Sequence, residues 1–162
     1  MGDRAIKRSP AIRDTTRQRH GSMMNTGATV SAQLGLSLVV PEHGAVPLVA
    51  SLCYSAGDPY AIRMAFHVGA DDPVEWIFSR DLLSAGLARP AGDGDVQVWP
   101  GEVHGIGVLN IALSSPFGQA HFEAPMMSIA DFLNRTYRVI AAGHESDFIN
   151  IDSELDELLW RA

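Results

Sequence analysis

Apolar and polar residues alternate along this chain from Thr29 onward. In TVSAQLGLSLVV, Val30, Ala32, Leu34, Leu36, Leu38 and Val40 fall on one face. Thr29, Ser31, Gln33, Gly35 and Ser37 fall on the other, which is the period of a long, half-buried strand. PEHGAVP reads as a turn, and the alternation resumes at Val46, Leu48, Ala50, Leu52 and Tyr54, with Ser51 and Cys53 opposite. Asp58-Pro59 turns the chain into a third strand, with Tyr60, Ile62, Met64, Phe66 and Val68 facing inward and Arg63 and His67 on the wet face. GADDP leads into a fourth, with Val74, Trp76 and Phe78 on its apolar face.

The period then changes. Ser79 is placed to cap a short helix, RDLLSAGL, with Asp81 in its first turn and Gly86 at its end. DVQVWP reads as a fifth strand stopped by Pro100, and a sixth follows at about 105–113. SSPFG makes a turn, with Phe117 where a polar residue is expected. QAHFE is a seventh strand with Ala120 and Phe122 inward. Pro125 opens a helix running to about Tyr137, and Met126, Ile129, Phe132 and Leu133 form its apolar stripe. Gly143 lies in a loop, where it is expected to act as a turn residue orienting the last element. That element is a helix capped by Asp152 or Ser153, with Leu155, Leu158 and Leu159 on one stripe, Trp160 packed beside it, and Glu154, Asp156 and Glu157 on an acidic face. Strands joined by short turns predict antiparallel pairing, in an α+β domain whose helices cover a curved or paired sheet.

Composition adds a boundary. Of 162 residues, 46% are hydrophobic and 19% charged, enough for one domain with a real core. The first 23 residues lack apolar periodicity, and residues 1–22 carry six basic against two acidic side chains, a net +4. The expected organisation is a disordered basic leader over 1–23 and a domain over 24–162. The remainder carries six basic and seventeen acidic residues, a net −11, which disfavours a phosphate backbone as partner. Cys53 is the one cysteine, so neither an intrachain disulfide nor a cysteine-based zinc site is available. No apolar run is long enough to span a membrane and no secretory h-region follows the basic start, so a cytoplasmic location is expected.

Candidate chemistry is sparse. The six histidines show no i, i+4 metal spacing and no HExxH, and there is no GxSxG, GxGxxG or Walker A run. GDGDV lacks the spacing of a calcium loop. His67 with Asp58 or Asp81 is the nearest thing to an acid–base pair. No cofactor, no metal and no catalytic residue are therefore expected. What remains is surplus apolar surface on nominally polar faces, at Val39, Val49, Ile77 and Trp99, which points to burial by helices or another subunit. Candidate partner contacts are Trp99, the start of the helix at Ser79 and Arg80, and the acidic face formed by Glu154, Asp156 and Glu157.

DPYAIRMAFHVGADDPVEWIFSRDLLSAGL, followed by GDGDVQVWP, resembles the core of the SsgA-like sporulation and cell-division regulators of actinobacteria. IALSSPFGQAHFEAP, FLNRT and DSELDELL are similar to that family as well, so the resemblance runs from about Thr29 to Leu159. Met24-Asn25-Thr26 matches the point where family members begin. The resemblance implies a non-enzymatic protein of the division septum that helps recruit and organise the tubulin-like ring protein FtsZ and works with SsgA-like partners. It also implies a fold similar to the whirly single-stranded-DNA-binding proteins, two antiparallel sheets with helices, assembled as a homotrimer. The competing expectations are a nucleic-acid-binding module that uses the basic leader, and a regulator of septal peptidoglycan remodelling.

Overall fold

The computed structural model describes residues 27–149, 156 and 158–160. The expected leader therefore lies outside the described residues. Seven strands form: β1 (Thr29–Val40), β2 (Gly44–Ser55), β3 (Asp58–His67), β4 (Val74–Ser79), β5 (Val96–Val103), β6 (Ile106–Ser115) and β7 (Gly118–Pro125). Helix α1 (Arg80–Gly86) follows β4, and α2 (Met126–Val139) follows β7 before a 3₁₀ turn at Glu145–Phe148.

Alternation placed the strands, but three boundaries moved for local reasons. The β1–β2 connection tightens to Pro41–His43, with Glu42 and Gly44 in the left-handed region at φ 67° and 82°. Pro47 is thus inside β2, opposite Ser37. The β2–β3 ladder starts only at Val49↔His67, so Pro47 stands where β2 has a single neighbour and a missing N–H is tolerated. Likewise β5 runs through Pro100 to Val103, because β5 is a sheet edge. Gly86 does not end α1 through a left-handed turn. It is the last helical residue, packed so closely that a Cβ would sit 2.5 Å from Val98 Cγ2.

The expectation of two sheets is corrected. The strands form one seven-stranded sheet in the order β4-β3-β2-β1-β7-β6-β5, all neighbours antiparallel. Two hairpin-built blades meet where β1 pairs with β7, through Ser37↔Glu123 and Leu38↔Phe122. Short turns reveal neighbours within each blade, whereas this pairing joins residues more than eighty positions apart and leaves no local signal.

One face of the sheet is the core. Leu34, Leu52, Ile62, Phe78, Val98 and Ile111 are buried there beneath Leu83 of α1 and Ile129, Phe132 and Leu133 of α2. The stripe read from the sequence explains why α2 lies where it does. The other face carries neither α1 nor α2. Its cross-strand rows read Ser31–Cys53–Arg63–Ile77 in one blade and Ser37–Glu123–Asn110–Trp99 at the junction with the other.

Candidate interaction surface

Ser79 and Arg80, both expected at a partner-facing helix start, separate in the structure. Ser79 is exposed and caps α1, its Oγ accepting from the Leu82 N–H at 3.3 Å. Arg80 is 1% exposed and points into the protein, which corrects its assignment to the surface. Its guanidinium donates to the Ile140 and Thr136 carbonyls at 2.8 and 3.3 Å, at the end of α2, and to Glu145 Oε1 at 2.7 Å. The same group lies 4.9 Å from the ring centre of Tyr54 and 4.5 Å from that of Tyr137. A cation here meets the Ile140 carbonyl just past the helix, and the Thr136 carbonyl that also accepts the Ile140 N–H, at the negative end of the helix dipole. The hydrogen bond from Arg80 holds the Glu145 carboxyl below its ordinary pKa. Burial pushes the Tyr54 phenol up against the opposing pull of Arg80, and its hydroxyl donates to the Pro59 carbonyl at 3.0 Å. Arg80 is therefore a clamp joining α1, α2 and the 3₁₀ turn.

Trp99 is half-buried on the helix-free face, its indole tilted against His121 with ring centres 5.3 Å apart. His121 Nε2 lies 2.8 Å from Asn110 Oδ1, while the Asn110 amide donates weakly to the Trp99 carbonyl at 3.4 Å. Gly101 leaves room for this, since a Cβ there would come within 2.5 Å of Asn110 Nδ2. Beside this cluster runs an open cleft lined by Val39, Pro41, Asp95, Gln97, Ser114 and Gln119. One rung beyond Ser114↔Gln119, the β6–β7 turn holds Phe117, which is 100% exposed. The turn is pinned: Ser115 Oγ accepts from the Phe117 N–H at 3.2 Å and donates to the Gly118 carbonyl at 3.5 Å.

Near the C-terminus, Asp156 is exposed, as are Leu158, Leu159 and Trp160. The expected packing of Trp160 is overturned, for that side chain is 89% exposed. Glu154 and Glu157 lie outside the described residues. Gly143 adopts φ +85° with open space around its Cβ position, so its backbone angle, not crowding, is what calls for glycine.

The acid–base candidates do not converge. The ring of His67 lies 2.8 Å from Ser51 Oγ. Asp58 is at the opposite end of the ten-residue β3, roughly 30 Å away along an extended strand. Asp81 is in the first turn of α1, and α1 packs on the core face, away from His67. Among the described residues, no three His, Cys, Asp or Glu side chains cluster to hold a metal ion, and none of the helices is long and apolar enough to cross a membrane.

Sequence reading missed three residues of these clusters. Asn110 interrupts the apolar run VLNIAL, and that break was a usable signal. His121 and Glu145 carry no local mark, because their partners lie 11 and 65 positions away.

The architecture is that of an α+β protein built on one antiparallel sheet, and comparison with known proteins identifies its kind. The family described as "Streptomyces sporulation and cell division protein, SsgA" matches residues 48–145. SsgB of Thermobifida fusca, a sporulation-specific cell division protein, is 53% identical over 137 residues, covering 85% of this chain and 99% of its own length. SsgB of Streptomyces coelicolor is 49% identical over 136 residues, covering 84% and 98%. The crystal structure of the SsgA-like protein from Thermobifida fusca YX-ER1 superposes with a TM-score of 0.76 at 53% identity, over 83% of this chain and 98% of that one. The chain belongs to the SsgA family of sporulation and cell-division proteins.

Proposed function

We propose that this protein acts without catalysis at the cytoplasmic side of the sporulation septum, helping to recruit and organise FtsZ together with SsgA-like partners. The observation that carries the reading is the full-length relationship to SsgB, which spans 99% of the Thermobifida fusca protein without large insertions to house a separate activity. The polar clusters support it. Arg80, Glu145, Asn110 and His121 are each engaged with neighbouring protein groups, an arrangement that braces a scaffold. Subunits assemble as homotrimers in this reading, with a whirly-like arrangement of the two blades and the domain beginning near Met24. The acidic surface disfavours nucleic acid as partner.

Sedimentation tests this directly. Full-length protein is spun alone, with FtsZ, and with FtsZ plus GTP. Co-pelleting with polymers, or polymers altered in amount or bundling, is the expected result. A chain that stays in the supernatant and leaves the polymers unchanged refutes recruitment. The mass measured for the protein alone decides the trimer.

A further inference from the structure

We propose that the cleft between the β1–β2 and β6–β7 turns is the docking site for an extended segment of the division partner, one carrying an apolar side chain beside Lys or Arg. This deepens the recruiter reading above and rests on it. Three observations converge on the cleft. Its lining includes apolar Val39, Pro41 and Ala112. Phe117 lies in the β6–β7 turn that continues from Ser114 and Gln119 of the cleft wall; Ser115 holds its backbone, and its ring is wholly exposed among the described residues. A lone surface phenylalanine needs no explanation, but an exposed ring on a pinned turn next to a cleft wall suits an interface anchor.

Charge selects the occupant. Asp95 lines the cleft, Asp93 precedes it in the same loop and Glu42 follows Pro41. None of the three forms a salt bridge among the described residues. Among the described residues, neither Lys nor Arg lines the cleft or its two turns, where the only other ionisable side chains are the imidazoles of His43 and His121. Unpaired carboxylates around a partly apolar cleft attract a cationic segment and repel an acidic one. Gln97, Gln119 and Ser114 add side-chain hydrogen-bonding groups along the walls, which suits a peptide backbone.

The experiment uses full-length protein and GTP-assembled FtsZ, with four variants: Phe117→Ser, Asp95→Lys, their combination, and Asp72→Lys. Asp72 lies in the exposed turn before β4 and changes net charge as Asp95→Lys does. Circular dichroism melting confirms that each variant folds. The proposal expects Phe117→Ser and Asp95→Lys each to weaken binding about tenfold, the size of a modest anchor residue. Asp72→Lys binds as wild type, and wild-type binding falls as salt rises. Variants of the cleft that pellet like wild type overturn this inference while leaving the recruiter reading intact. Equal losses from Asp95→Lys and Asp72→Lys also overturn it, since overall charge is then the cause. A wild-type chain that fails to bind overturns the recruiter reading itself, and the proposed contact falls with it.

Discussion

The rings of Phe66 and Phe122 stack with centres 4.3 Å apart and planes 19° from parallel. Their strands, β3 and β7, are separated in the sheet by β2 and β1. Three strand spacings in a flat sheet amount to roughly 14 Å, and side chains stand perpendicular to it. The sheet must therefore curl its core face inward for these rings to meet. The short β1–β7 ladder is where the two blades turn toward each other.

Phe122→Ala removes one side of that stack and the ring that seals the junction. The expected loss is about 3–5 kcal/mol, as for other buried phenylalanines. Urea unfolding at neutral pH measures it. Phe122→Leu, which fills much of the space, retains most of the stability, and equal stability of wild type and the alanine variant would mean that the blades are held together elsewhere.

The Arg80–Glu145 contact makes stability depend on acid. The Glu145 carboxyl titrates below its unfolded value, because the folded state favours its charged form. Its contribution is fully present above the unfolded carboxylate pKa of about 4.3 and is lost as pH falls through the lower folded value. Both Arg80→Met and Glu145→Gln should lower the melting temperature at pH 7. Each should also flatten the fall in stability between neutral pH and strong acid. An unchanged acid limb in Glu145→Gln would locate the titration in other carboxylates.

Two glycines are required for opposite reasons, which a pair of alanine variants separates. Gly86→Ala thrusts a methyl at Val98 and Leu109 in the core and should cost about 1–3 kcal/mol through overpacking. Gly143→Ala meets no atom but must hold φ near +85°, costing about 1–2 kcal/mol. Thermal denaturation gives both totals. Val98→Ala removes the closest contact, to Val98 Cγ2, but keeps Val98 Cβ at 2.8 Å, so it partly relieves Gly86→Ala and does nothing for Gly143→Ala.

Tyr54 reports the same clamp from the alkaline side. Burial raises its pKa, so the folded state keeps the phenol proton after the unfolded chain has lost it. Stability therefore declines as pH rises from about 10 through the folded value. Tyr54→Phe loses the bond to the Pro59 carbonyl, about 0.5–1.5 kcal/mol. Ultraviolet absorbance titration should lose its most alkaline tyrosine component in that variant, and persistence of that component would assign it to another tyrosine.

Much of the scaffold was legible because its causes are local. Alternation in TVSAQLGLSLVV and IRMAF sets which side chains face the core, for period two is a property of the strand itself, although Tyr60 at the start of β3 is exposed. Ser79 capping its own helix, and Ile129, Phe132 and Leu133 turning inward from α2, follow equally from spacing. The burial of Arg80 is not legible in the sequence, because a charged residue next to an exposed cap looks solvated. Its burial is made tolerable by carbonyls of Thr136 and Ile140 and by Glu145, all more than fifty positions away.

Strands, helices α1 and α2, the core-facing side of most of them and the family resemblance are legible in the chain, since they are written in neighbouring residues. Tertiary contacts are what put the two blades in one sheet, make Arg80 a clamp, and bring Trp99, His121 and Asn110 together beside a cleft. Each of those depends on residues far apart in the chain, and no local pattern records which distant strand edge or carbonyl will be the partner.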